Sequence, residues 1–417
     1  MAYGSISTSA AGSATGWPRW LLNDRRAWYV WLAFVCAIAA VVVDAPDYRT
    51  VTPNYRDASF HWFAGRAIYT EGKHGFLYFP QAAILFSPFA YLPSPTGEVL
   101  WRMVSIGGLA LAIWRWASLS GVVGHRVFFL MTLLTIPPAV ASARNGQMNL
   151  VLTALTALAF VELAHERWRA AACWLCLGAA MKPLTIVPIA VAFLVYRPVR
   201  RPVMLGAAAL LVFPFFTQQA GYVCDQYHVC LQKLLLAGNP GEANPVSDLF
   251  GLLSAIGWTT PLPVQTVVRA LAGGLTVVLA WLVVRRRETI RAARSVLALT
   301  TCYLALFNPR MENNGFVVIA PALAGLAAGA FLNPGRRPAG WLMVAASLGI
   351  AGSYEITRGY NFWLCPLLAL SVWGYAVFDA LSGGCDTTGE STAGPPAPNG
   401  PSAIKYSATT RPPIRCS

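Results

Sequence analysis

Long apolar runs separated by short arginine clusters repeat along this 417-residue chain. That alternation leaves few folds open. A run of about 20 apolar residues suits a bilayer span, and clustered Lys and Arg between runs set which side each loop lies on. Only 12% of the residues are charged, about half the ~25% of a soluble domain, and the mean hydropathy is +0.52. The net charge of +14 would suit nucleic acid in a soluble chain. Here the arginines interrupt apolar runs, so no nucleic-acid partner is expected. The first run, 28–43, is followed by no small-residue cleavage site and reads as a retained span rather than a signal peptide.

The clusters at 165–169 (HERWR), 197–201 (RPVRR), 285–294 (RRRETIRAAR) and 336–337 are expected in the cytoplasm, as are Arg19, Arg25 and Arg26 before the first run. Candidate spans cover 28–45, 98–117, 126–142, 149–164, 168–181, 183–196, 203–217, 263–284, 294–308, 315–332, 340–354 and 361–381. These spans, about twelve, put every cluster and both termini on the cytoplasmic side. The organisation expected is a cytoplasmic segment 1–27, an all-α membrane domain 28–381 and a disordered cytoplasmic tail 382–417 rich in Gly, Ser, Thr and Pro. The run 79–92 is shorter than a span needs and carries Pro80 and Pro88. It is expected to be a re-entrant or surface helix within a first external loop, 47–97. The runs 168–181 and 183–196 are also short, as helices meeting at a midplane break are.

This topology brings the remaining polar segments to one face. They are 47–73, 144–149 (RNGQMN), Lys182 in MKP, 218–263, 308–314 (NPRMENN) and 355–360. Each has a plain reading beside a functional one. Asn145, Gln147 and Asn149 fit caps for the helix starting near Met148, or a polar site. Lys182 lies between two apolar helices and either snorkels to a head group or meets an anion, an aspartate of the first loop or a lipid phosphate. Arg310 and Glu312 pair with each other, or Arg310 joins Lys182 on a phosphate. Asp57 pairs with Arg56 or His61 on an amphipathic surface helix, or acts as a base. Asp44 closes the first span and Asp47 opens the loop. The nine cysteines are scattered. Cys173 and Cys176 form a CxxC with no second pair, and Cys224 and Cys230 are candidates for a disulfide if their segment faces an oxidising compartment. No metal motif is present.

The pattern Tyr55-x-x-Ala58, Trp62-x-x-Gly65-x-x-x-Tyr69, Phe76-x-Tyr78-x-Pro80-x-Ala82 and Pro88 resembles the first loop of the membrane mannosyltransferases of glycosyltransferase family 87. The resemblance continues at Asn145-Gly146-Gln147-x-Asn149, at Lys182-Pro183 and more loosely at Asn308-Pro309-Arg310, and covers roughly residues 28–380. It implies a GT-C-type multi-span bundle with a catalytic first external loop. It also implies a polyprenyl-phosphate sugar donor, usually of mannose, and inverting transfer outside a bacterial inner (plasma) membrane. Many relatives carry an essential aspartate a few residues before the loop tyrosine, where positions 50–54 of this chain hold no acid.

Such a transfer needs a base for the acceptor hydroxyl and cations for the departing phosphate. The resemblance therefore leaves Asp57 and Asp47 as candidate bases. It suggests Lys182, Arg310, Arg49 and Arg56 for the donor phosphate, and Tyr55, His61, Tyr78, Asn145, Gln147, Asn149 and Glu312 for sugar and acceptor. The apolar surfaces of 79–92 and 183–196 would hold the prenyl chain. No cofactor is expected; the partners are the lipid-linked donor, a lipid or glycan acceptor and membrane lipids. Two other classes stay open. One is a transporter or flippase of a lipid-linked sugar, with Arg115 and Arg269 as charged candidates along a path. The other is a relative without catalysis, acting as an assembly partner.

Overall fold

The bilayer core offers no water to backbone N–H and C=O groups, so apolar runs there fold as helices. The computed structural model describes residues 24–46, 48–72, 74–120, 124–238, 247–357 and 363–382, with the side chains of 24 and 124–126 excepted. The expectations for 1–23, for Asp47 and for 383–417 lie outside the described residues. Among the described residues every regular element is helical.

Helix α1 (Asp24–Asp44) ends at Asp44, as the sequence suggests. Next come α2 (Thr52–Phe63), α3 (Pro80–Ala90), α4 (Thr96–Ser118), α5 (Gly124–Arg144) and α6 (Asn149–Ala164). The middle of the chain holds α7 (Trp168–Met181), α8 (Ile186–Val195), α9 (Arg200–Val212), α10 (Ala220–Ala237) and α11 (Leu249–Ala255). The rest comprises α12 (Leu262–Arg286), α13 (Thr289–Phe307), α14 (Ala320–Leu332), α15 (Arg337–Ala351), α16 (Ser353–Thr357) and α17 (Leu364–Ser382).

Among the described residues eight helical stretches are long and apolar enough to cross a membrane. They contain α1, α4, α5, α9, α12, α13, α14 and α17. Four further candidate spans fold as the shorter helices α6, α7, α8 and α15. Prolines set some of these lengths. Lys182 precedes Pro183, and its extended backbone (φ −150°, ψ 122°) ends α7. Helix α3 has 11 residues, with Pro88 inside it. At 1.5 Å per residue it is about 16 Å long, half of a ~30 Å hydrocarbon core.

Burial sorts the helices into inner and outer sets. The stretch containing α14 is 78% buried and α13 is 72% buried, whereas the stretch containing α9 is 17% buried. Helix α6 is the centre: all its residues but Val151 are buried, and it packs on α4, α7 and α13. A helix apolar on every side needs protein on every side. Helix α6 runs from Asn149 to Ala164, and in its last turn the Glu162 carboxylate meets Arg115 at 2.8 Å and Arg167 at 3.5 Å. The arginine-rich segments gather around that second end. Thr289 donates to Glu166, and Arg287 and Arg336 both reach Asp379.

At the Asn149 end the chain 51–91 forms a second apolar core. Tyr55, Trp62, Tyr69, Phe76 and Phe86 pack there with Trp101, Met148 and Met181. Helix α10 and the residues before it dock on it. Gln218 Nε2 donates to the Trp62 carbonyl at 2.7 Å, Tyr222 Oη to the Arg66 carbonyl at 2.7 Å, and Gln81 Nε2 to Tyr227 Oη at 2.6 Å. Cys224 and Cys230 both lie on α10, six residues apart, one exposed and the other buried, and both are free thiols. Six helical residues rise about 9 Å along the axis, beyond the Cα separation a disulfide spans, so this expected pair is not formed.

Candidate functional site

The chain entering α2 is fixed before any functional side chain is placed. The Val51 N–H donates to the Asn145 carbonyl at 3.1 Å. Glu98 and Arg102, one turn apart on α4, form a buried ion pair. Glu98 accepts from Thr52 Oγ1 as well, while Arg102 donates to Thr50 Oγ1 and to the Arg144 carbonyl, each at 3.0 Å. Trp101 Nε1 donates to the Gly146 carbonyl at 2.8 Å. Gly146 sits at φ +65°, and a Cβ there would lie 2.7 Å from Thr52 Cγ2. The turn needs glycine on both counts. This clamp starts α6 beside the first loop.

Around it lies a cavity of about 450 Å³. Its walls come from 51–55, 74–78, 147–152, 182–184, 234–238 and 308–318. Five of the six polar segments singled out in the sequence therefore meet at one place. The sixth begins beside Tyr354, whose hydroxyl accepts from Arg49 at 3.3 Å.

A hydrogen-bonded chain crosses the cavity wall. The Lys182 ammonium donates to the Asn149 amide oxygen, and Asn149 Nδ2 donates to Gln147 Oε1. Gln147 Nε2 reaches Glu312 Oε2 at 3.5 Å. Arg310 stands on the same wall, its own N–H bonded to Asn308 Oδ1 at 3.2 Å and its Nη1 to the Ala237 carbonyl at 3.3 Å. Met311, between Arg310 and Glu312, is buried, and all three line the cavity. Tyr55 and Tyr78 meet through their hydroxyls at 2.9 Å with rings at 90°. Burial pushes the Tyr78 phenol up to about 12 and raises the Tyr55 phenol well above its ordinary value. Both are neutral near pH 7 and serve as hydrogen-bonding hydroxyls, not as bases. Lys233 of α10 donates to the Thr70 carbonyl behind Gly75; burial pushes its ammonium below the usual lysine value, and Arg310 adds to that.

Seven of the expected residues line the cavity: Lys182, Arg310, Tyr55, Tyr78, Gln147, Asn149 and Glu312. Asp47 lies outside the described residues, and the others are placed elsewhere. Asp57 is exposed and lies two residues beyond Tyr55 on α2, about 200° round the helix from that cavity-lining side chain. His61 Nδ1 pairs with the Ala67 carbonyl, Arg56 donates to the Leu92 carbonyl, and Arg49 stacks on Tyr48 and Tyr354. Asn145 holds the turn through its carbonyl rather than entering the cavity. Asn54, His74, Asn308 and Asn314 line it without having been singled out for that role. For Asn308 and Asn314 the signal was at hand, since they bracket Arg310 and Glu312 in NPRMENN.

The wall combines two cations, one carboxylate, amides, hydroxyls and the apolar side chains Leu77, Leu152, Leu184 and Leu234. Such a set suits an anion joined to a polar, hydroxyl-rich group, with apolar surface beside it. Among the described residues no group of three His, Cys, Asp or Glu side chains stands close enough to hold a metal ion. No curated protein matches the chain. Glycosyltransferase family 87 matches over residues 76–309, which holds more than half of the chain and includes Lys182 and Arg310's neighbour Pro309.

Proposed function

The chain belongs to glycosyltransferase family 87, and from that premise we propose that this membrane glycosyltransferase moves a hexosyl unit, mannosyl by family, from a polyprenyl-phosphate donor to a lipid or glycan hydroxyl. The transfer inverts the anomeric centre and takes place at the extracytoplasmic face of the inner membrane. One observation carries the reading: Lys182 and Arg310, from segments 128 residues apart, stand on one cavity wall with Tyr55, Tyr78, Gln147 and Asn149.

The acceptor oxygen attacks the anomeric carbon while the bond from that carbon to the phosphate oxygen breaks. The electron pair leaves with the phosphate, so positive charge beside that oxygen favours the transition state over the ground state. Lys182 and Arg310 supply that charge. Gln147, Asn149 and the two tyrosines offer donors and acceptors for sugar hydroxyls. The prenyl chain follows Pro183 and Leu184 out of the cavity onto α8, where Ile186 and Leu194 are exposed. The bundle has a GT-C-type plan, with α2 and α3 as the amphipathic and re-entrant parts of the first external loop.

A flippase would need charges along its path. Arg115 is paired with Glu162, and Arg269 with the buried Asp248 at 2.7 Å, which favours the enzyme. The test is transfer of radiolabelled sugar from polyprenyl-phosphate-mannose in membranes holding the full chain or Lys182→Ala. Wild-type transfer with weakened donor use in the variant is expected. Unaltered donor use by the variant would remove Lys182 from the phosphate site, and wild-type membranes unable to transfer from any polyprenyl-phosphate sugar would sink the donor class.

A further inference from the structure

Among the described residues one carboxylate lines the cavity, that of Glu312. We propose that Glu312 is the general base of the transfer, an assignment that rests on the glycosyl-transfer reading above. A base has to be reachable by the incoming hydroxyl and close to the departing phosphate without capping its cations. Glu312 is exposed to the cavity opening. Two amides, Gln147 and Asn149, link it to Lys182, so the carboxylate and the ammonium share a wall and are bridged by neutral groups. Met311 beside it is buried, and the Gly315 N–H donates to the Glu312 carbonyl at 2.8 Å, which closes the turn after it.

Asp57 does not meet these requirements, because Tyr55 faces the cavity and Asp57 then faces away. Positions 50–54, which lead into the cavity-lining part of α2, contain no acid. In the step itself Glu312 takes the proton of the acceptor hydroxyl as its oxygen bonds to the anomeric carbon. The carbon–oxygen bond to the phosphate breaks, and polyprenyl phosphate departs as the anion held by Lys182 and Arg310. Protons and electrons balance with no further reactant.

The test uses the full chain in membranes and in detergent, as wild type, Glu312→Gln, Glu312→Asp, Asp57→Asn and Asp47→Asn. Two quantities are read: sugar transfer from polyprenyl-phosphate-mannose, and binding of polyprenyl phosphate alone. Expected is a fall in transfer of about 10²- to 10⁴-fold for E312Q, with polyprenyl phosphate binding held within a few-fold. E312D should recover part of the rate. Near-normal transfer by E312Q would overturn the proposal. So would loss of polyprenyl phosphate binding in E312Q, which would make Glu312 a binding group, or an equal loss of transfer in D47N or D57N with E312Q active. A wild type that neither binds polyprenyl phosphate nor transfers would overturn the transfer reading, and the base with it; binding by the wild type separates the two failures.

Discussion

The Lys182 ammonium is held by a neutral partner, the amide oxygen of Asn149. Its orientation is set without its charge being cancelled, as an anion-binding site requires. Asn149→Asp should place a carboxylate on that charge and weaken polyprenyl phosphate binding. Lys182→Ala should lose one charge-assisted hydrogen bond, about 1.5–3 kcal/mol, or roughly tenfold to a hundredfold in Kd. Binding of polyprenyl phosphate to the detergent-solubilised chain checks both. Wild-type affinity in N149D would mean that the charge of this wall does not govern the site.

Tyr55 and Tyr78 share one hydrogen bond in a buried setting. Tyr55→Phe should cost about 0.5–1.5 kcal/mol in stability. A double-mutant cycle with Tyr78→Phe should give a coupling of that order, since both singles remove the same bond. Both phenols titrate far above neutrality, Tyr78 at about 12. The coupling should therefore stay constant between about pH 6 and about pH 9. A coupling that changes over that window would show that one phenol ionises.

The Glu98–Arg102 pair is buried and carries the turn that starts α6. Removing one partner leaves the other buried and uncompensated, at about 3–5 kcal/mol. Glu98→Gln and Arg102→Met should each lower the unfolding temperature and the yield of folded protein. The double replacement Glu98→Leu with Arg102→Met should be milder than either single, because no charge is stranded. Thermal unfolding in one detergent compares the three.

Gly146 combines φ +65° with a close approach to Thr52 and Arg102. Gly146→Ala adds backbone strain of about 1–2 kcal/mol and a methyl contact that the clamp has no room for. Transfer should fall more than stability, because Gln147 and Asn149 follow this turn directly. Thr52→Ser in the same chain removes the nearest methyl group and should restore part of the activity. An unaltered rate in G146A would show that the turn relaxes without moving the wall.

The parts of this site that are legible in the sequence carry local signals. Lys182 stands out because a proline ends the helix behind it, and NGQ-x-N and NPRMENN because polar residues interrupt apolar runs. The shortness of α3 follows from its prolines. The unread parts depend on partners far along the chain. Arg49 pairs with a tyrosine 305 residues away, and Asn145 spends its carbonyl on Val51. Helix α2 buries Tyr55, Ala58, Ser59 and Trp62 at i, i+3, i+4 and i+7, a spacing legible in the sequence that leaves Asp57 on the outer side. The Glu98–Arg102 clamp carries a local signal, an acid and a base one turn apart at the start of a span.

The row Lys182, Asn149, Gln147, Glu312 has one further consequence. The ammonium and the two amides are each oriented by the next, so one substitution at Asn149 or Gln147 already releases Lys182, while Glu312 ends the row and Glu312→Gln leaves the Gln147–Asn149–Lys182 part in place. Double replacements among Lys182, Asn149 and Gln147 should cost little more than the worse single one, and energies assigned residue by residue will not sum to the whole. These three behave as a single unit under mutation, and a change of specificity through them needs coordinated substitutions rather than a succession of independent steps.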